Sequence, residues 1–286
     1  VVQVKRIKKE KPEKLLLNMD SPIIWERPKL KDIKILDEMV KETAETYQAN
    51  KNIGKLGDGG GDTGGWPHGM ANARVRFIRL KYDGSGNTWN VNMGYGYDYN
   101  LLLKFNEITG FKIADNTEYK EISRLAMFRK GKAPPFVYMT GRGGISLSTS
   151  ELKTLRRYCL VEGGMIVADS AGGHFDRSFR SICRRLFPGK QLVDVPDDDP
   201  IYREPFLFPN GAPALWHHNN NYRPQGIKHE GAWVVYYHSG DMGDAWRTGH
   251  SGSSKAVTDR AYKLGINIIY YTFTRYLNKH HPPPKE

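Results

Sequence analysis

Residues 136–140 (FVYMT) and 165–169 (MIVAD) are apolar up to their last residue, 232–237 (AWVVYY) are apolar throughout, and segments of helical period separate the first run from the second. A strand wetted on one side alternates polar and apolar residues. A strand apolar at every position must be covered on both faces. These runs therefore predict an α/β protein: a mostly parallel sheet with helices on both sides.

The segments between them fit that frame. Residues 74–81 (RVRFIRLK) alternate as a strand, 98–109 (DYNLLLKFNEIT) read as a helix stopped by Gly110, and FKI at 111–113 reads as a short strand. Ser148 and Glu151 have capping-box spacing ahead of a helix over 148–162, which Gly163-Gly164 ends. Phe175, Phe179, Ile182 and Leu186 mark one face of a helix over 174–187, and an aromatic-rich helix is expected over 256–276.

The amino-terminal part reads differently. Residues 1–29 are basic and broken by Pro12, Pro22 and Pro28, followed by an amphipathic pattern through Ile33, Leu36, Val40, Thr43 and Tyr47. Residues 1–56 are thus expected to be an extended arm plus a helix, and 57–72 a glycine-rich linker. The α/β domain spans 73–277, with a tail at 278–286. A lone amphipathic helix needs a surface against which to bury its apolar face. We therefore expect a protein partner or self-association through residues 1–56.

Composition excludes some functions. No apolar stretch approaches the roughly 20 residues that cross a bilayer, so no membrane span is expected. The formal net charge is +12, but the basic residues are scattered and no zinc-finger or aromatic-basic motif accompanies them. Nucleic acid is not the expected partner. MGYGYDYN lacks the dinucleotide fingerprint, and no spacing of His or Cys makes a metal site of His217, His218 or His250, so no cofactor or metal is expected. DVPDDDP reads as a solvated loop. Cys159 and Cys183, on separate helices, read as buried free thiols.

Ligands of an open parallel sheet sit at the carboxyl ends of its strands. Three strands end there in unusual loops. The first brings Gly141, Arg142, Gly143 and Gly144; the second Asp169, Ser170, Gly172, Gly173 and His174; the third His238, Asp241, Asp244 and Trp246. These residues have the parts of a nucleophilic site. Ser170 would be the nucleophile, His238 its base, Asp241 or Asp244 the orienting acid, and the Gly143 and Gly144 amides the oxyanion donors. Two other readings stand beside it: Ser170 or Asp169 as a helix cap in an ordinary turn, and a binding pocket without chemistry.

Taken together, PPFVYMTGRGGISLS, LRRYCLVEGGMIVADSAGGHFDRSFR, DDPIYR, GDMGDAW and YKLGINIIYYTF resemble a bacterial domain family of unknown function, DUF4159. That family is similar to class I glutamine amidotransferases, which implies a flavodoxin-like sheet; its members are often exported, which implies a periplasmic or external location. Where amidotransferases carry G-x-C-x-G, this chain has Ala168, Asp169, Ser170, Ala171 and Gly172. Their His-x-Glu is approximated by His238, Ser239 and Gly240 before Asp241. Without the thiol, the resemblance implies a binding or assembly module with a degenerate pocket. A serine-dependent hydrolase or acyl-transfer enzyme using Ser170 and His238 is the alternative.

Overall fold

A computed structural model describes residues 74–85, 97–109, 112–128, 131, 133–213, 223–247 and 254–280. The arm, helix and linker expected over residues 1–72 lie outside this set, as do His217, His218 and His250. The described strands are β1 (Ile78–Lys81), β2 (Glu118–Glu121), β3 (Phe136–Met139), β4 (Met165–Asp169), β5 (Val193–Asp194), β6 (Gln225–His229) and β7 (Ala232–His238). The helices are α1 (Tyr97–Thr109), α2 (Thr149–Leu160), α3 (Gly173–Leu186), the single turn α4 (Met242–Ala245) and α5 (Lys255–His280).

The strands form one sheet in the order β2-β1-β3-β4-β7-β6-β5. The neighbours from β2 through β7 pair in parallel, while β6 and β5 add an antiparallel edge. The apolar runs are the three adjacent strands β3, β4 and β7, buried on both faces as their composition requires. Side-chain alternation splits the core into two layers. Tyr138 and Val167 pack with α1 and α5, whereas Val137, Ile166 and Ala168 pack with α2 and α3.

Local signals act where the sequence places them. Ser148 and Glu151 close a complete capping box on α2. Cys159 and Cys183 are both free and buried. Arg275 of α5 donates to the carbonyls of Trp233 and Gly163, tying the helix to the starts of β7 and β4.

Some expectations shift. Of FKI, the described Lys112 and Ile113 contribute a bridge, Val75 to Ile113, rather than a strand. The neighbouring strand is instead EYKE, β2, whose polar composition suits a sheet edge and hides it from a hydrophobic search. The antiparallel β6–β7 hairpin turns through Glu230 and Gly231, both at positive φ, as a tight two-residue turn demands. The acidic loop is not wholly solvated either. Asp199 is buried, caps the turn at 200–202 and accepts a hydrogen bond from the Trp233 indole at 2.9 Å. α5 runs on to His280, past residue 278 where a tail was expected.

Candidate functional site

The carboxyl ends of β1, β3, β4 and β7 meet at one end of the sheet, and hydrogen bonds join their loops. Gly144 N donates to Ser85 O at 2.9 Å, Ala171 N to Gly141 O at 3.0 Å, and Phe175 N to Arg142 O at 3.2 Å. Gly84, at φ 157°, allows the first of these contacts, because a Cβ there would lie 1.9 Å from the Gly144 carbonyl oxygen. The three loops singled out by sequence do form one rim. The Gly144 amide is spent on Ser85, however, and is not available as an oxyanion donor.

Asp169 and His238 end β4 and β7 as register partners. Both continue the face of the sheet that carries Val167 and Tyr236, toward α1 and α5. Asp169 is fully buried. Its Oδ2 accepts from Gly243 N, in the first turn of α4, at 2.9 Å, while its Oδ1 has no hydrogen-bond partner among the described residues. Gly243 is close enough to donate because it has no side chain; a Cβ would meet the Tyr97 ring at 2.6 Å. Asp241 caps α4 by accepting from Asp244 N at 2.8 Å. Burial, and next the charge of Asp241, push the Asp169 carboxyl up to about 7, against the pull of Thr140, Tyr138 and the Gly243 amide. Burial also raises Asp241.

His238 is buried, and desolvation holds its imidazole down to about 4, so the ring is neutral at pH 7. Gly240 engages Nδ1 through both its N–H, at 2.9 Å, and its carbonyl oxygen, at 3.2 Å, in whichever tautomer the ring adopts. Nε2 has no partner among the described residues.

Ser170 faces elsewhere. Its hydroxyl donates to Gly172 O at 2.8 Å and accepts from Gly172 N at 3.2 Å, beside Tyr237 on the α3 side of the sheet. No hydrogen bond links Ser170 to His238, or His238 to Asp241, among those described. Nδ1 is engaged by Gly240, and Nε2 makes no hydrogen bond to the serine among those described, so the base is not in place to take its proton in this arrangement. The structure gathers Ser170, His238 and Asp241 at one end of the sheet without connecting them as a relay.

The remaining rim residues divide by depth. Arg142 and His174 are exposed, and Gly173, also exposed, opens α3. Gly172 is its extended N-cap. Trp246 is buried; its indole donates to Ala261 O, and its carbonyl accepts from Asn100 and Tyr262, so it anchors α4 to α1 and α5. Asp244 is buried within α4 and lies 3.8 Å from Arg247.

The sequence reading passed over Arg79, Tyr97, Asp98 and Tyr138. Arg79 looked like a solvent-facing residue of an alternating strand, yet it is 1% exposed and binds both oxygens of Asp98, at 2.6 and 2.9 Å, over the Tyr97 ring. An acid in the first turn of the following helix was the available signal. Tyr138 looked like core, but its hydroxyl has no hydrogen-bond partner among the described residues, and the charges of Asp169 and Asp241 reach it.

A family model described as "Domain of unknown function (DUF4159)" matches residues 76–273. No curated protein matches the chain.

Proposed function

Because the chain belongs to the DUF4159 family, whose description names no activity, we propose a function from the site: a binding or assembly module, exported from the cytoplasm, with an amidotransferase-related pocket that has lost its nucleophile. The observation carrying this reading is unspent hydrogen-bonding capacity. Asp169 Oδ1, His238 Nε2 and Tyr138 Oη are buried at the carboxyl ends of β4, β7 and β3 with no partner among the described residues. Each such group costs about 1–3 kcal/mol unless something completes it. Buried polar groups left open together, where parallel sheets take their ligands, favour a binding site.

The relation to amidotransferase-like folds draws support from topology. Counting β7 as the fifth parallel strand, the order β2-β1-β3-β4-β7 corresponds to the 2-1-3-4-5 order of flavodoxin-like sheets. Export rests on the family resemblance alone. The assembly role falls to residues 1–56, which would hold a partner or a second copy.

Two measurements test the reading. Full-length protein treated with a fluorophosphonate probe is expected to show no more labelling than Ser170→Ala. Strong labelling lost only in that variant would favour the serine-dependent hydrolase or acyl-transfer alternative. Deleting residues 1–56 is expected to lower the mass on a sizing column by more than the deleted segment, because a complex disperses. A mass that falls only by the segment itself would count against an assembly role.

A further inference from the structure

We propose that Asp169, Asp241 and Tyr138 form the floor of a subsite for one small organic cation, a primary ammonium group. This rests on the binding reading above and names the ligand chemistry of that pocket.

Charge accounting comes first. Arg79 is matched by Asp98, in contact through two hydrogen bonds. Asp169 and Asp241 each disfavour ionisation through burial, and Asp241 disfavours that of Asp169 further. The Arg142 and Arg79 charges act on Asp241 and oppose the effect of its burial. The described groups that act most strongly on Asp169 include no cation, so a positive group beside it would favour its charged form.

Geometry supplies the independent observation. The Tyr138 hydroxyl is fully buried and lacks a hydrogen-bond partner among the described residues, and so does Asp169 Oδ1. Each acts on the other's ionisation through close polar contact as well as charge, so the two oxygens lie side by side with no hydrogen bond of good geometry between them. An ammonium has three donors, enough for Asp169 Oδ1, the Tyr138 oxygen and Asp241. A divalent metal fits less well, since no group of three or more His, Cys, Asp or Glu able to hold one occurs among the described residues. Asp241 is partly exposed, so it is the acid of the pair that reaches solvent.

An ammonium binds the ionised form of Asp169, so affinity must rise with pH until that carboxyl is deprotonated. Tyr82 and Tyr97 also face the carboxyl, and both are held neutral by burial. His238, its neighbour on β7, is neutral above about pH 5. Asp98 stays paired with Arg79, and Asp244 acts on Asp241. Asp169 therefore dominates the profile near neutrality.

The test is an NMR titration of the full chain with ethylammonium chloride, with ethanol and sodium acetate as neutral and anionic probes at matched ionic strength. The Gly243 amide and the Tyr138 ring report on the site. Ethylammonium is expected to give saturable shifts, with affinity rising about tenfold per pH unit below pH 7 and levelling above it. Asp169→Asn, which keeps an acceptor for Gly243, should lose at least tenfold in affinity while remaining folded, and Tyr138→Phe should lose less. Binding that is independent of pH, or retained in Asp169→Asn, overturns the proposal. If ethanol or acetate moves the same signals and ethylammonium does not, the cation inference falls while the binding pocket stands. If none of the three moves them, both fall.

Discussion

Asp98→Ala is expected to destabilise the fold by about 3–5 kcal/mol, because it leaves a buried guanidinium without its counter-charge. Arg79 lies on β1, inside the edge strand β2, is 1% exposed, and has both Asp98 oxygens within 2.9 Å. At about 2–4 °C per kcal/mol for a domain of this size, the melting temperature should fall by about 6–20 °C. The exposed pair Lys255–Asp259 is the control, since Lys255→Ala should change stability by no more than about 1 kcal/mol. Replacing Arg79 and Asp98 together by leucine should recover much of the loss, as apolar packing substitutes for a desolvated ion pair. Equal loss in the single and double variants would mean that the contribution is steric rather than electrostatic. Thermal and denaturant melts of the four proteins decide it.

Asp169→Asn is expected to do the opposite and stabilise the protein, more so as pH rises. The Asp169 carboxyl titrates in the ordinary carboxylate range when unfolded and near 7 when folded. Between those values the folded state binds more protons than the unfolded chain, so raising the pH through this window costs stability. The asparagine variant has no such cost. The stability difference between variant and wild type should therefore grow from near zero at pH 4 to about 2–4 kcal/mol at pH 8, since each pKa unit corresponds to about 1.4 kcal/mol. His238 acts in the reverse sense. Its folded value near 4 lies below the unfolded one, so its stabilising contribution is present above about pH 6.5 and lost as pH falls through 4. That slope persists in the variant, so the variant's own stability should climb from pH 4 to 6.5. A difference curve flat with pH would show that Asp169 ionises freely in the folded protein, and the cation subsite would lose its electrostatic basis.

Stabilisation of the fold by Asp169→Asn would make this buried carboxyl a candidate for a use other than folding. This bears on the choice between the two functional readings. The serine reading gave the central part to Ser170, whose hydroxyl is satisfied locally by Gly172. The binding reading gives it to Asp169, one residue earlier, which carries an unused acceptor. Adjacent residues at a strand end face opposite sides of the sheet, so a shift of one position moves the site from the α3 layer to the α1 and α5 layer.

Sequence by itself determined the elements that short-range rules govern. Apolar runs on both strand faces required a covered parallel sheet, Ser148 and Glu151 required a capped helix, and glycines at strand ends marked the rim. Tertiary structure alone decided the rest. Arg79 and Asp98 are separated by 19 positions, and Asp169 and Gly243 by 74, so no local period connects them. Which face a strand-end residue takes, and whether a buried polar atom finds a partner there, depends on elements that approach from distant parts of the chain. The stretch MIVADSAGGHF could therefore locate the pocket. Only the packing of β3, β7, α1 and α4 around it showed that Asp169 Oδ1, and not the Ser170 hydroxyl, lacks a hydrogen-bond partner among the described residues.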